Sequence, residues 1–407
     1  MAPATTVHIT KAVLATVVLV TAIAPLATDM YVPAFPLVTR DLGADPTQVQ
    51  LTLTTFFVGM ALGQLVGGPI SDARGRRQHL IIALVVLTLA SVACAFAPEI
   101  WTMMAARFLQ GLSGGWAMVI ARAVIVDLAA GADLVRSLNL VSGVGGVAPV
   151  VGPLMGGLIL LVTDWRVSFW VLTAMSAAMV AAVAIAIPES LPPEKRHSGG
   201  LGQLLGATGR VLSNRNYVAY LLITGFSMGA TFAYVATSAY ILQSMNGLSP
   251  MLYSVDFAFN AVGLALLTLV AARLAGIVPT RHVIALGLAG NVVAGLMMLI
   301  GALWFDTPLW VALVAFLVLM SSQGFVGPNA GALASDQVPE HPGTGSAVLG
   351  FMQWVMAGVI APIAGLGGDQ TAVPMAVIIL VLAGLSFVAL YLVARPQPDE
   401  RPSLRGS

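Results

Sequence analysis

The chain has 407 residues, of which 58% are hydrophobic and only 9% are charged. Soluble globular domains carry about 25% charged residues, so this composition excludes a soluble fold and indicates an integral membrane protein. The 18 Lys and Arg nearly balance the 17 Asp and Glu, which leaves no basic surface for nucleic acid. With Cys94 as its single cysteine, the chain cannot form an intramolecular disulfide, and a cysteine-based metal site is not indicated.

The first apolar segment follows Lys11 and has the composition of a signal peptide, with Ala22-Ile23-Ala24 as a cleavage pattern. Pro25 directly after this pattern argues against cleavage, and many further apolar runs follow. We therefore predict that the segment is retained as the first membrane-spanning helix.

Crossing about 30 Å of hydrocarbon requires roughly 20 apolar residues. The sequence predicts twelve such spans, at about 11–37, 47–70, 79–97, 101–127, 138–163, 165–187, 216–243, 250–273, 282–303, 308–333, 344–367 and 371–394. The stretch PESLPPEKRHSGG follows the sixth span and is typical of a solvated linker. The predicted domains are an N-terminal six-helix bundle (1–187), a cytoplasmic linker (188–215) and a C-terminal six-helix bundle (216–407) of an all-α membrane protein.

The distribution of positive charge predicts the orientation. With both termini in the cytoplasm, the outer loops hold only Arg40 and Arg166, while Arg107 and Arg122 fall within span 4. The inverted topology would violate the positive-inside rule. The remaining positive residues are then cytoplasmic: Lys11, Arg74, Arg76, Arg77, Arg136, Lys195, Arg196, Arg210, Arg215, Arg273, Arg281, Arg395, Arg401 and Arg405.

The two halves resemble each other at a constant offset of 209 residues. Any one coincidence is weak in helices rich in Gly and Ala, but four matches in the same order predict an internal repeat. A repeat of six plus six helices is typical of transporters that rock two halves around a midplane site. The matched pairs are Trp101 and Trp310, Gly115 and Gly324, Asp127 and Asp336, and Pro153 and Pro362.

The cytoplasmic turn between spans 2 and 3 reads GPISDARGRR. It resembles the loop signature of the major facilitator superfamily, G-x-x-x-D-R-x-G-R-R, with Ala73 where an arginine is usual. The resemblance implies a loop that locks the inner gate of the outward-facing state, joined by Asp127 at the end of span 4. In the alternative, the arginines only anchor the topology. The matching residues are Gly68, Asp72, Gly75, Arg76 and Arg77.

Three ionisable residues within spans are candidates for function, because charges in the membrane are costly. Asp29 lies roughly 13 Å, and Arg107 roughly 9 Å, from the outer ends of spans 1 and 4. If these spans face each other, as the family fold implies, the two side chains can pair directly or through water and couple transport to protons. Alternatives are a permanent ion pair that fixes packing, or a solvated Asp29 at a helix end. Arg122, near the inner face, either contacts substrate or snorkels to the interface.

Span 5 contains the pattern G-P-x-x-G-G, formed by Gly152, Pro153, Gly156 and Gly157. Small residues allow close helix packing, and the pattern also resembles the signature of twelve-helix drug:proton antiporters. Three further stretches, LATDMYVPAFP, RFLQGLSGGWAMVIARAVIVDL and GFVGPNAGALA, resemble the bicyclomycin and chloramphenicol resistance branch of that family. The resemblance implies the major facilitator fold, with twelve transmembrane helices in two pseudo-symmetric halves.

A midplane cavity for a mostly apolar compound requires aromatic walls and few polar anchors. The alternative for each aromatic side chain is lipid-facing or interhelical packing, and for each amide a bond that ties helices together. The candidate substrate-binding residues, in addition to Arg122, are Tyr31, Trp116, Phe232, Tyr234, Asn260, Gln323, Gln353 and Trp354.

The resemblance implies proton-coupled efflux of small amphipathic drugs by alternating access, in the cytoplasmic membrane of a bacterium and by a monomer. Its partners would be the drug, protons and the lipid bilayer, without nucleic acid or a cofactor. Proton-coupled uptake of a small metabolite on the same fold is the alternative. A membrane enzyme or receptor is a third, although no Cys/His cluster or nucleophile constellation supports an enzyme. The only lysines, Lys11 and Lys195, form no G-x-x-x-x-G-K-[ST] loop, so we expect the proton gradient rather than ATP to supply the energy.

Overall fold

The computed structural model describes residues 10–196, 201–340 and 342–394, and these are almost entirely helical. The positive residues Arg395, Arg401 and Arg405, used above for the orientation, lie outside the described ranges.

The helices of the first half follow the predicted spans. Span 1 is α1 (Lys11–Asp29), a 3-10 turn (Val32–Ala34) and α2 (Phe35–Asp41). Spans 2 to 6 are α3 (Pro46–Arg74), α4 (Arg76–Ala95), α5 (Ile100–Leu128), α6 (Gly131–Val162) and α7 (Arg166–Ala186).

The second half begins with α8 (Leu201–Ser213), followed by α9 (Arg215–Ala239), which continues as a π-helical turn (Tyr240–Met245). Then come α10 (Pro250–Leu274), α11 (Thr280–Trp304), α12 (Leu309–Asp336), α13 (Pro342–Ala364) with a 3-10 turn (Gly365–Gly367), and α14 (Val373–Val388) with a π-helical turn (Ala389–Val393). Spans 7 to 12 correspond to α9 to α14.

Within the described ranges, eleven helices are long and apolar enough to cross a membrane, and α6 contributes the shorter apolar segment Gly146–Val162. The predicted all-α architecture of about twelve spans is confirmed. One helix was not predicted: α8 lies inside the predicted linker. Its apolar residues are spaced for one helix face rather than for a span, and Val211 on that face is buried in the core of the second half.

Contacts divide the chain into two compact units. The first contains the described residues of Met1–Tyr31 and Thr55–Gly200, and the second contains Val32–Thr54 and the described residues from Leu201 onward. The sequence pattern gave no sign that Val32–Thr54, which joins predicted spans 1 and 2, packs in the second unit.

Glycines bring helices into backbone contact at equivalent places in the two units. In the first unit, a Cβ on Gly115 of α5 would overlap the carbonyl oxygen of Met60 on α3. In the second unit, a Cβ on Gly324 of α12 would lie 2.5 Å from the carbonyl oxygen of Leu264 on α10. Because Gly115 and Gly324 are one of the four pairs at offset 209, the internal repeat has a structural counterpart: spans 2 and 4 approach each other as spans 8 and 10 do.

Candidate functional site

Asp29 is the last residue of α1, and its side chain is buried against α6. It is 7% exposed, and a Cβ built on Gly152 would lie 2.7 Å from the Asp29 Cβ. One turn later, a Cβ on Gly156 would overlap the carbonyl oxygen of Met30. Within the described ranges, the Asp29 carboxylate has neither a hydrogen bond nor an ion pair. The G-P-x-x-G-G pattern therefore provides the space in which an unpaired carboxylate is held inside a membrane span.

Replacing Gly156 with alanine is expected to separate α1 from α6, because the new Cβ would lie 3.0 Å from the Met30 carbonyl carbon and would overlap its oxygen. Backbone atoms cannot rotate away, so the expected cost is about 1–3 kcal/mol. Thermal unfolding of the purified protein in detergent measures this cost as a lower midpoint. Gly146→Ala, on the same helix with no atom within 4 Å of the new Cβ, is the matched control. Equal midpoints for the two variants would contradict the proposed contact.

Arg107 on α5 is completely buried, and it does not form an ion pair with Asp29. Its Nη1 donates to the carbonyl oxygen of Ala27 at 3.0 Å and to Oε1 of Gln110 at 2.6 Å. Its guanidinium carbon lies 4.4 Å from the ring centre of Phe56 and 4.9 Å from that of Tyr31, so aromatic faces stabilise the cation. Its Nε and Nη2 have no hydrogen-bond partner within the described ranges. The predicted coupling residues, Asp29 and Arg107, therefore lie where α1 and α5 pack together, but no direct bond joins them.

Arg76 organises the predicted gating turn between α3 and α4. Its Nε donates to Oδ2 of Asp127 on α5 at 3.1 Å, and its Nη1 donates to Oγ of Ser71 at 2.7 Å and pairs with Asp72. Arg76 is 8% exposed whereas the side chain of Asp72 is 48% exposed, so the network is buried at its arginine and open to solvent at that carboxylate. Of the predicted gating residues, Asp72, Arg76 and Asp127 are joined, while Gly68 lies on the last turns of α3.

The same turn is also held by Glu189, which lies in the segment after α7 and which the sequence did not single out. Gly75 has a φ of +104°, a conformation that favours glycine. The Glu189 carboxylate accepts from the backbone N–H of Arg76 at 2.8 Å and of Arg77 at 3.3 Å, so it caps the N-terminus of α4. Ser190 donates to Asp127 at 2.9 Å. The side chain of Arg77 donates to the carbonyl oxygen of Ala184 at 2.6 Å.

The predicted substrate residues fall into separate groups. In the second unit, Phe232 lies 6.2 Å from Trp354 between ring centres, and Asn260 donates to the hydroxyl of Tyr234 at 3.2 Å. Gln323 accepts from Ser227, and Gln353 is half-buried on α13.

In the first unit, the ring of Tyr31 lies under the guanidinium of Arg107, whereas Trp116 packs against Gly67 and His79. Arg122 is exposed on α5, and Pro153 and Gly157 are buried within α6. The contacts given above link Phe232 with Trp354 and Asn260 with Tyr234, and a common substrate site for the predicted residues stays a prediction.

Two features of the second unit were missed. Asp256 on α10 is a carboxylate within an apolar span, so the rule that singled out Asp29 would also have found it. Gln50 at the start of α3 is 0% exposed, and its Nε2 donates to the carbonyl oxygen of Ala236 at 3.1 Å. A Cβ on Gly365 would overlap the Gln50 side-chain amide. No pattern in the sequence indicates that this glutamine is buried.

Comparison with known proteins gives consistent results. The Major Facilitator Superfamily profile matches residues 17–362. The chain is 33% identical to the uncharacterized MFS-type transporter YdgK of Bacillus subtilis over 90% of this chain and 91% of that protein. It is 26% identical to the bicyclomycin resistance protein homolog of Haemophilus influenzae over 90% of this chain and 92% of that protein. It is 30% identical to the multidrug resistance protein MdtL of Klebsiella pneumoniae over 58% of this chain and 60% of that protein.

Solved structures confirm the fold. A bacterial homolog of the human lysosomal transporter Spinster, in an inward-facing and unoccupied conformation, aligns with a TM-score of 0.74 and 15% identity over 95% of this chain and 98% of that chain. The D-xylose-proton symporter aligns with a TM-score of 0.73 and 15% identity over 95% of this chain and 99% of that chain. With the sequence of the turn between α3 and α4, the repeated glycine contacts and the profile match in agreement, this multi-pass membrane protein belongs to the Major Facilitator Superfamily of transporters of small molecules.

Proposed function

We propose that this transporter exports small amphipathic drugs or antibiotics, such as chloramphenicol- or bicyclomycin-like compounds, in exchange for protons. The observation that carries the proposal is Asp29: its carboxylate has no hydrogen-bond or ion-pair partner among the described residues, and its Cβ packs against Gly152 of the G-P-x-x-G-G pattern. The names of two relatives, a bicyclomycin resistance protein homolog and a multidrug resistance protein, support the same substrate class.

In the proposed cycle, Asp29 binds a proton from the outer side and releases it to the cytoplasm. The carboxylate has no basic partner at ion-pair distance within the described ranges, so its charge is uncompensated whenever the proton leaves. Arg107 donates to the carbonyl oxygen of Ala27, two residues before Asp29, and its Nε and Nη2 have no hydrogen-bond partner among the described residues. A small shift of α1, or a bridging water, would allow it to stabilise the ionised carboxylate. Proton and drug then compete for one conformational state, and no shared atoms are required.

The gating turn has the bonds that a conformational lock needs. Arg76 joins the end of α3 to Asp127 of α5, and Glu189 joins the start of α4 to the segment after α7. We propose that this network stabilises the state in which the cytoplasmic side is closed. It connects four helices of the first unit through charged side chains at one end, so its loss would change the balance between states rather than the binding site itself.

We propose that the segment Val32–Thr54 acts on the other side of the membrane, away from the cytoplasm. Thr39 Oγ1 lies 2.8 Å from the hydroxyl of Tyr240, and Gln243 Nε2 donates to the carbonyl oxygen of Pro33 at 3.0 Å. Together with the buried Gln50, these bonds hold the segment within the second unit. We propose that the segment leaves these partners in each cycle of alternating access.

We place the protein in the cytoplasmic membrane of a bacterium with both termini inside, working as a monomer whose energy source is the proton gradient. Expression in a drug-sensitive host tests the proposal: resistance to chloramphenicol or bicyclomycin is expected to rise, and either drug is expected to collapse the pH gradient of everted membrane vesicles. Vesicles containing the same lipids without the protein are the control.

Uptake of a small metabolite by proton symport is the alternative on this fold, and the D-xylose-proton symporter among the structural neighbours has that activity by name. Accumulation of a solute driven by the pH gradient in whole cells, without any gain in resistance, would favour uptake and would contradict efflux.

A further inference from the structure

Asp256 on α10 is an ionisable side chain in the apolar span Pro250–Leu274. It lies six residues after the start of the helix, or about 9 Å along its axis. Carboxylates within membrane spans are costly and mark ion or substrate pathways. The proposed proton exchange at Asp29 does not involve Asp256, so this second carboxylate requires its own explanation.

Asp256 belongs to a cluster of hydrogen-bond acceptors. Its Oδ2 accepts from Nδ2 of Asn260, one helical turn later, at 2.9 Å. The same amide donates to the hydroxyl of Tyr234 on α9 at 3.2 Å. Asn260 is 0% exposed, yet its Oδ1 has no hydrogen-bond partner within the described ranges. A buried acceptor of this kind is destabilising unless a donor satisfies it.

Aromatic rings pack around Tyr234, the third member of the cluster. The ring of Tyr234 lies 5.2 Å from that of Phe257 and 4.9 Å from that of Phe316 on α12, and Tyr253 lies 6.1 Å from Phe257. Aromatic faces attract cations, more strongly where water is excluded. Carboxylate, amide oxygen and aromatic faces together favour a ligand that has both positive charge and N–H donors.

The helices around Asp256 carry no basic residue at its level. Arg215 starts α9 and Arg273 lies in the last turn of α10, both at the opposite end of these helices, and α12 contains neither Lys nor Arg. Asp256 forms no ion pair within the described ranges. Those ranges also contain no group of three or more metal-ligating His, Cys, Asp or Glu side chains, so the cluster is not built for a metal ion.

We propose that Asp256, Asn260 and Tyr234 bind the ammonium group of protonated-amine substrates. Asp256 supplies the counter-charge, and the Asn260 Oδ1 accepts one ammonium N–H. The inference rests on the proposed export of amphipathic compounds and adds a substrate class to it. The site binds lipophilic amines and does not contribute to the binding of neutral compounds.

The test compares a protonated amine, doxorubicin, with neutral chloramphenicol on the purified full-length protein in detergent. Asp256→Asn is expected to weaken doxorubicin binding at least tenfold and to change chloramphenicol binding less than twofold. In cells, the variant is expected to lose resistance to doxorubicin and to keep resistance to chloramphenicol. Asp306→Asn, the same substitution at an exposed loop residue whose φ of +51° suits asparagine, is the matched control and is expected to change neither.

Equal weakening of both compounds in Asp256→Asn would overturn the proposal, because it would show a structural role for Asp256. Binding of chloramphenicol but not of doxorubicin by the unaltered protein would also overturn it and would leave the proposed export intact. Failure of the unaltered protein to export either compound would instead contradict the proposed function. Asn260→Leu, which removes the second acceptor without changing charge, provides an independent test if Asp256→Asn does not accumulate, with the same selective loss expected.

Discussion

Vesicles containing Asp29→Asn are expected to show no drug-induced collapse of the pH gradient, at a protein level equal to that of the unaltered transporter. Asparagine has nearly the same shape, so the contact of the Asp29 Cβ with Gly152 and the approach of α1 to α6 are retained. What is lost is the ability to bind and release a proton in the membrane. The expected effect on coupled export is complete loss.

A second measurement separates coupling from general damage. Exchange of labelled for unlabelled drug across the membrane needs no net proton movement, so Asp29→Asn is expected to retain it. Asp306→Asn, at an exposed loop aspartate outside the segment Val32–Thr54, is the matched control and is expected to leave both activities unchanged. If Asp29→Asn keeps drug-driven proton movement, Asp29 is not the coupling residue.

Much of the fold follows from composition alone, since only spanning helices satisfy every backbone group in lipid. Length and apolarity therefore located the spans, and the offset of 209 between Gly115 and Gly324 related the halves. The helix α8 was missed because its apolar residues are spaced for a helix face and not for a span. Asp256 was missed although the sequence displays a carboxylate in an apolar span, to which the rule that singled out Asp29 applies equally.

The sites were less predictable, since side-chain partners depend on how helices pack. Depth along the helices placed Asp29 and Arg107 at similar levels, but it could not show that Asp29 lies against Gly152 while Arg107 bonds to Ala27 and Gln110. Likewise, hydropathy assigns residues to spans and not to units. Nothing in it distinguishes Gln50, buried in the second unit, from a polar residue at a solvated helix start.

The Gln50 contact leads to the second large effect. A transporter with Gln50→Cys and Gly365→Cys is expected to lose export completely when oxidised and to regain it after reduction. The side-chain amide of Gln50 overlaps the Cβ position at Gly365, so the two Cβ positions lie within about 5 Å, near the roughly 3.5–4.5 Å of a disulfide. Cys94 is completely buried, so it is not expected to compete.

The disulfide would hold the start of α3 against the turn after α13, and Val32–Thr54 could not leave the second unit. A protease site inserted between Arg196 and Leu201 reports the bond, because the two fragments remain joined on a non-reducing gel only when it has formed. Gln50→Cys alone, treated with the same oxidant, controls for reaction at a single thiol. Complete cross-linking with undiminished export would show that the segment stays in place throughout the cycle. Reversible loss would identify the release of Gln50 from Ala236 and Gly365 as a required step, which connects a buried amide to the movement that transport needs.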